Sequence, residues 1–343
     1  MTGSSMATIS ALPHEISHPL LIAILTALVI ILLGISLAVG YAPLDLAQAW
    51  SDAVNGKPTL EALVLTELRL PRALLGALVG FSLGITGAAL QGLLRNPLAE
   101  PGIIGVSGAA ALGAVIVFYF GLAGTFALAL PLGGIAGGFL ATLLLYALAG
   151  RGAGTMTLIL AGVAINSFSG ALTALALNLS PNPYAALEIV FWLLGSLADR
   201  SLAHVWLVLA PMLLGWAFLI ATARALDALT LGDDTAQSLG IDLTRLRWQL
   251  IAGAGLSIGS AVAVSGAIGF VGFVVPHLLR PLTGHRPGRL LFASGLGGAA
   301  LTLGADIVVR VFPIQPEIKL GVITALIGAP FLLSLIYRLR GDE

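Results

Sequence analysis

The ionisable side chains of this sequence stand in small groups at the ends of long apolar runs. Arg69 and Arg72 flank Pro71 in LRLPR, and Asp306 and Arg310 lie four residues apart in ADIVVR. A carboxylate and an arginine at this spacing can pair along one helix. The arginines have two interpretations: basic side chains that extend toward lipid headgroups, or a patch outside the cytoplasm that docks an acidic partner.

The longest polar stretch, DALTLGDDTAQSLGIDLTRLR, covers residues 227–247. Asp233 and Asp234 start a predicted helical turn, where carboxylates interact favourably with the helix dipole, and Gly240 divides the stretch in two. A lipid-binding interfacial helix is usually richer in Lys and Arg. The stretch therefore predicts a pair of short helices under the membrane that bind a cytoplasmic protein.

A third polar interruption, LRNPLAEPGIIGVSGAAALG, covers residues 94–113. It lacks the lysine and the preceding strand that a glycine-rich phosphate loop needs. Pro97 and Pro101 stiffen the connection, and Gly102 allows the next helix to start close to its neighbours. We predict a stiff cytoplasmic corner between two spans.

Several kinds of chemistry are excluded by composition. The chain has no cysteine, and therefore no disulfide, thiolate metal site or cysteine nucleophile. Its five histidines are scattered, its net charge of zero gives no indication of nucleic acid, and the G-x-x-x-x-G-K-[ST] nucleotide motif is missing. We expect no catalytic residue, no metal and no cofactor, so that if the protein is a pump, another chain must supply the energy.

The elements that position these residues are predicted to be membrane spans. Of 343 residues, 58% are hydrophobic and 9% are charged, whereas a soluble domain carries roughly 25% charged residues. A spanning helix needs about 20 apolar residues, so the 101–150 interval holds two spans. The charge-free intervals are 16–44, 73–94, 101–150, 152–187, 201–223, 248–279, 290–305 and 320–337.

The number of spans is nine or ten, depending on whether 248–279 crosses twice. With ten spans and a cytoplasmic N-terminus, ten basic residues lie inside and six outside; with nine, the counts are seven and nine. The positive-inside rule favours ten. Gly266, Gly269 and Gly272, followed by Pro276, supply the break, giving a span at 249–265 and a short return limb at about 268–280.

The prediction is thus an all-α, polytopic membrane protein with one transmembrane domain over residues 1–343. Both termini are cytoplasmic, and residues 1–18 form an N-terminal tail. Glycines at every fourth residue, Gly76, Gly80 and Gly84, predict closely packed helices. Span 5 carries a polar face that either forms hydrogen bonds to other helices or lines a pathway. Its members are Asn166, Ser167, Ser169 and Thr173.

Taken in order, these features resemble the FecCD-type permeases, the membrane subunits of ABC importers for iron–siderophore complexes, heme and vitamin B12. The resemblance covers about 60–338. It rests on LRLPRALLGALVGFSLGITGAALQGLLRNPLAEPGIIGVSGAA, LGDDTAQSLGI, GAIGFVGFVVPHLLR, ADIVVR and TALIGAPFLLSLI. It implies the type II ABC importer permease fold with ten spans, in the bacterial inner membrane.

The resemblance also implies residue roles. Arg69, Arg72 and Arg310 match periplasmic arginines that pair with glutamates of a substrate-binding protein. Residues implied to couple to the ATP-binding subunit are Leu231, Gly232, Asp233, Asp234, Thr235, Ala236, Ser238, Leu239 and Gly240. Residues implied to form the cytoplasmic gate are Asn96, Leu98 and Thr155. The sequence departs from the family in EIKLG, which contains Lys319, and in GHRPGR, which contains His285.

The implied partners are two copies of an ATP-binding subunit, which uses ATP and Mg, a periplasmic binding protein, a second permease subunit and membrane lipid. A homodimer of the permease is expected, and a heterodimer stays open. The expected function is import of a bulky metal chelate by alternating access; siderophore, heme and cobalamin stay open. The alternative is a secondary carrier or channel acting alone, which predicts inward carboxylates or paired half-helices. Only one broken span is present.

Overall fold

The computed structural model describes residues 17–40, 43–126, 128–149, 154–180, 183–312, 314 and 316–341. Within these ranges the regular structure is entirely helical. The predicted tail at 1–18 lies outside the described residues except for its last two.

Fifteen α-helices make up the described chain, and a π-helical turn, Val64–Arg69, joins the third to the fourth without interruption. They are α1 His18–Ala38, α2 Leu46–Val54, α3 Leu60–Leu63, α4 Leu70–Leu93, α5 Val106–Tyr119, α6 Ala129–Ala149, α7 Thr155–Asn178, α8 Pro183–Leu193, α9 Leu202–Ala221, α10 Ala223–Leu229, α11 Asp233–Ser238, α12 Leu243–Ser265, α13 Val271–Leu279, α14 Pro287–Val311 and α15 Leu320–Gly341.

Seven helices in the described ranges are long and apolar enough to cross a membrane: α1, the continuous α3–α4 helix, α6, α7, α9, α12 and α14. Three shorter apolar helices, α5, α8 and α15, accompany them. The all-α, polytopic class predicted from composition is therefore confirmed, whereas the count of ten crossings stays a prediction.

The predicted break in the 248–279 interval is present between Ser265 and Val271, where α12 ends and α13 begins. Two boundaries differ from the prediction. The second span begins at Leu60 rather than near residue 73. Arg69 and Arg72, the charged residues just before position 73, bind α1 and Asp306, so the helix can include them. In the 152–187 interval, α7 ends at Asn178 and a separate helix, α8, begins at Pro183. Proline suits the first turn of a helix.

Helices α4 and α14 pack against each other at the centre of the bundle. A Cβ atom on Gly84 would overlap the carbonyl oxygen of Ser294, and one on Gly80 would overlap that of Gly298. Lipid supplies no hydrophobic drive between helices, so small residues that permit close backbone contact hold them together. The close packing predicted from the glycine spacing is confirmed here, and it fixes α4 and α14, which carry the polar residues described next.

Candidate functional site

Three predicted docking arginines lie together where α1 and α14 end and the α3–α4 helix begins. Arg72 is in the first turn of α4, and its Nε and Nη2 atoms donate to Asp306 Oδ1 at 2.9 and 2.8 Å. Arg310 Nη2 lies 3.0 Å from Asp306 Oδ2 on the same helix. The predicted Asp306–Arg310 pair is thus present, and Asp306, which is 1% exposed, is neutralised by two arginines.

Arg69 and Arg310 also bind the carbonyl end of α1. Arg69 Nη1 donates to the carbonyls of Leu37 and Ala38 at 2.9 and 2.8 Å. Arg310 Nη1 donates to the carbonyl of Ser36 at 2.8 Å. The last four carbonyls of a helix have no partner within the helix and attract cations, so Arg69 and Arg310 cap α1 from neighbouring helices. Sequence reasoning missed this role, because residues 32 and 274 positions away supply the acceptors.

Glu317 completes the group, because Arg72 donates hydrogen bonds to its carboxylate as well as to Asp306. Three arginines face two carboxylates, which leaves one positive charge. Beside them is a pocket of about 370 Å³, here called the arginine pocket. It is lined by Val39, Gly40, Val64, Leu68, Arg69, Arg72, Ala198, Asp199, Arg200, Arg310 and Glu317.

Arg200 adds a further cation to the arginine pocket from the connection between α8 and α9. Its Nε atom donates to the carbonyl of Val264 at 2.5 Å. Burial lowers the pKa of Arg200, and the nearby Asp199 opposes that shift. A guanidinium stays charged at neutral pH under these conditions. The pocket therefore presents a net positive surface suited to a carboxylate.

The predicted coupling segment lies at the other end of α4. Gly232 and Gly240, with φ of 101° and 85°, form the turns on either side of α11, in a region of backbone space that favours glycine. Ala236 is fully buried, whereas Leu231 and Leu239 are 63% and 61% exposed. Gly240 separates α11 from α12, but the predicted pair of short helices is wrong: the 227–247 stretch contains the end of α10, the short helix α11 and the start of the long helix α12.

The positions of the other coupling residues follow from α11. Asp233 is its first residue and lies 2.7 Å from Arg95 and 3.2 Å from Arg247. Thr235 is exposed, and the Ser238 hydroxyl donates to the Asp234 carbonyl at 3.0 Å within the helix. The sequence did not identify either arginine as a partner of Asp233. Arg95 is separated from it by 138 residues, and Arg247 by 14 residues across the turn at Gly240.

The predicted cytoplasmic corner follows α4. The Asn96 side-chain oxygen accepts from the Leu98 amide at 2.9 Å, and Gln91 Nε2 donates to the Ala99 carbonyl at 3.3 Å. Asn96 and Leu98 are exposed, and Pro101 opens a short 3-10 helix that leads into α5. Thr155 is the first residue of α7 and follows its N-cap, Gly154; residues 150–153 lie outside the described ranges.

The polar residues of α7 do not share one surface. Ser169 is 3% exposed and lines an apolar groove of about 600 Å³ among α5, α6 and α7. Asn166 is exposed, although its side chain also lies against Gly108 of α5. Ser167 is exposed and Thr173 is partly buried. Two of the four residues thus face a neighbouring helix, in line with the helix-packing interpretation.

Two further features bear on the predictions. Lys319, the residue that departs from the family pattern, places its Nζ atom 5.8 Å from the centre of the Phe191 ring, a cation–π distance that links α8 to the start of α15. In the ranges that the structure describes, no three His, Asp or Glu side chains are grouped to hold a metal ion.

A helical membrane bundle with a basic pocket at one end and a short exposed helix at the other defines a polytopic membrane transport protein. The chain belongs to the FecCD transport family, whose sequence profile matches residues 28–338. The family resemblance drawn from the motifs is confirmed.

Relatives and one solved structure agree with this assignment. The chain is 39% identical to the vitamin B12 import system permease protein BtuC of Vibrio cholerae over 310 residues, 90% of this chain and 93% of that protein. It is 37% identical to the hemin transport system permease protein HmuU of Yersinia pestis, over 92% and 95% of the two chains. A metal-chelate type ABC transporter in an inward-facing conformation matches with a TM-score of 0.81 and 34% identity, over 94% and 99%.

Proposed function

We propose that this chain is the permease subunit of an ATP-driven importer, moving a bulky metal chelate from periplasm to cytoplasm by alternating access. The family assignment and the permease relatives support this class of transporter and do not favour a carrier acting alone. Relatives named for vitamin B12 and for hemin match almost equally well, so the cargo class includes an iron–siderophore complex, heme and cobalamin.

One observation carries the proposal: α4 connects the two ends of the bundle. Arg72, in the arginine pocket, is its third residue, and Arg95, bonded to the coupling segment, follows its last by two positions. A helix of 24 residues is about 36 Å long, enough to cross the hydrocarbon core of a bilayer. The two ends of one rigid element thus lie beside the two surfaces where partner proteins are expected.

The arginine pocket is proposed as the periplasmic docking point for the binding protein. Arg69 and Arg310 are 5% exposed and engaged with α1, so an incoming carboxylate meets a charged pocket rather than extended side chains. Complementary charge of this kind chiefly accelerates association and selects the partner. The sequence predicted a basic patch of extended arginine side chains, whereas the proposed docking point is a pocket whose arginines are already bonded to other helices.

The coupling segment is proposed as the docking point for the ATP-binding subunit. Leu231 and Leu239 are large, exposed and apolar at the turns flanking a six-residue helix, which matches the apolar centre and polar rim of a protein interface. The ATP-binding subunit, present in two copies, uses ATP and Mg, and this chain is proposed to bind neither.

The remaining roles complete the proposed transporter. Asn96, Leu98 and Thr155 form the cytoplasmic gate, and the exposed polar residues of α7 line the pathway. Two copies of the permease enclose that pathway in the bacterial inner membrane. Each copy crosses ten times with both termini in the cytoplasm. Asn96 and Leu98 are exposed and follow Arg95, which contacts the coupling segment, and this position supports the gate assignment.

Reconstitution tests the proposal. The permease is placed in liposomes with an ATP-binding subunit and a binding protein from the same organism, and uptake of hemin, a ferric siderophore and cyanocobalamin is measured. We expect ATP-dependent uptake of one of them, and none when the ATP-binding subunit carries a substitution that abolishes hydrolysis. Equal uptake by the permease alone would establish the carrier alternative instead.

A further inference from the structure

The segment Arg95–Pro101 connects two points of unusual backbone conformation. Among the described residues, four that are not glycine have positive φ, and Arg95 at 47° and Phe270 at 67° are two of them. This conformation is uncommon for residues with a side chain. Such outliers persist only where surrounding contacts enforce them, and they cluster at functional and switching sites.

At one end of the segment, Arg95 holds the coupling helix. Arg95 Nη2 lies 2.7 Å from Asp233 Oδ1, and the other oxygen of that carboxylate lies 3.2 Å from Arg247. Asp233 begins α11, whose neighbouring residues form the proposed surface for the ATP-binding subunit. The side chains of Arg95 and Asp233 are 50% and 34% exposed. Exposed ion pairs contribute little to stability, so this contact serves to link the segment to α11 rather than to hold the fold together.

At the other end, Glu100 and Pro101 hold the break between α12 and α13. The Phe270 amide donates to Glu100 Oε1 at 2.9 Å. A Cβ atom on Gly272 would lie 2.5 Å from the Pro101 ring, so the ring packs directly on the α13 backbone. Phe270 precedes the nine residues of α13 and is therefore about 14 Å from the far end of that helix. The segment reaches well into the bundle.

Phe270 extends this connection to the last helix. A Cβ atom on Gly328 would overlap the Phe270 side chain, so the ring lies directly on the α15 backbone. Between the two ends, Asn96 caps the Leu98 amide, Gln91 holds the Ala99 carbonyl, and two prolines restrict the backbone. The segment is stiff and can move as a unit that carries Asn96 and Leu98.

We propose that the segment Arg95–Pro101 transmits movement of the coupling helix α11 to the α12–α13 break and α15, with Arg95 and Glu100 as its two positioning residues. When the ATP-binding subunit displaces α11, Asp233 draws Arg95 with it, and the stiff segment withdraws the Glu100 carboxylate from the Phe270 amide. Phe270 is then free to leave its strained conformation and its contact with α15. This inference rests on the proposed function.

A double-mutant cycle tests the first link in liposomes containing the complete importer. The variants are Arg95→Gln, Asp233→Asn and the double variant; the readout is ATP hydrolysed per chelate imported. We expect each single variant to raise this ratio about fivefold, and the double variant to raise it no further, because residues of one pair give non-additive effects. Arg95→Lys, which keeps the charge, should restore part of the coupling. Lys57→Gln, which removes the exposed lysine of a pair with Asp52 elsewhere in the chain, is the matched control.

The second link is tested by Glu100→Ala and Glu100→Gln. Alanine removes the acceptor of the Phe270 amide, and we expect chelate to leak from loaded vesicles without ATP. Glutamine keeps an acceptor oxygen and should leak less. Unfolding temperatures of all variants, measured in detergent, separate coupling from folding defects.

Independent, multiplying effects of Arg95→Gln and Asp233→Asn would overturn the inference, as would a Glu100→Ala variant that stays tight. Failure of the proposed function has a different signature, since the unsubstituted importer would then show no ATP-dependent uptake at all.

Discussion

Asp306 of α14 accepts hydrogen bonds from both Nε and Nη2 of Arg72 of α4, across a helix pair whose backbones are in close contact. A bidentate arginine–carboxylate pair fixes both distance and orientation. Arg310 occupies the second oxygen of the same carboxylate. The arrangement fixes the two central helices at the end where α1 also terminates.

Replacing Asp306 by alanine should strongly destabilise the protein. The change leaves Arg72 and Arg310 buried without their shared carboxylate, and removing one partner of a buried pair costs about 3–5 kcal/mol. Thermal unfolding in detergent measures the effect. Lys57→Ala is the control, because it removes an exposed partner of Asp52 and should change stability by less than about 1 kcal/mol. Equal unfolding temperatures for the two variants would contradict the structural role.

Gly84→Ala should separate α4 from α14. The added methyl group would overlap the Ser294 carbonyl oxygen, and crowding a packed interior costs about 1–3 kcal/mol or more. Gly34→Ala in α1 is the matched control, because no atom lies within 4 Å of its added Cβ. We expect a lower unfolding temperature for Gly84→Ala and an unchanged or higher one for Gly34→Ala, since alanine favours helix over glycine. A stable Gly84→Ala protein would show that the interface tolerates separation.

Leu231→Ser and Leu239→Ser should each weaken binding of the ATP-binding subunit. Burying the exposed three-fifths of a leucine side chain contributes about 1–2 kcal/mol, which corresponds to a five- to thirtyfold loss of affinity. Co-purification at graded concentrations measures it. Val54→Ser in α2, also a highly exposed apolar residue, serves as the control. If all three variants bind alike, the contact surface lies elsewhere on the chain.

Glu317→Gln should accelerate docking of the binding protein. The substitution raises the net charge of the three arginines, Asp306 and Glu317 from one to two, while Arg72 keeps its bond to Asp306. Complementary charge acts mainly on the association rate and is screened by salt. Stopped-flow binding should show a rate a few times higher at low ionic strength and little difference at high salt. A slower rate would place the docking surface on residues other than the arginine pocket.

The sequence predicted the features that depend on local composition. The apolar runs indicated the helices, and the glycines at 266, 269 and 272 indicated the break between α12 and α13. What it could not show depends on contacts between distant residues. Arg69 and Arg72 looked like the end of a span, because a charge in an apolar run is costly unless it is paired. Their partners on α1 and α14 allow the helix to begin at Leu60.

The candidate sites divide in the same way. The turns at Gly232 and Gly240 could be placed from residue type alone, and the corner after α4 from its two prolines. The Arg95–Asp233 and Glu100–Phe270 contacts could not, since each joins residues more than 130 positions apart. Charge complementarity between the polar loops was the available signal, but many pairings of the 16 basic and 16 acidic residues satisfied it.

The bonds between Arg310 and the end of α1 have a consequence for biogenesis. Helix α1 is made before α14, and the cation that satisfies its Ser36 carbonyl is synthesised 274 residues later. During translation Arg69 can reach the Leu37 and Ala38 carbonyls early, but the Ser36 carbonyl lacks its arginine until α14 has been inserted. A nascent chain halted before Arg310 should therefore expose the connection after α1 to protease, whereas a chain halted after α15 should protect it.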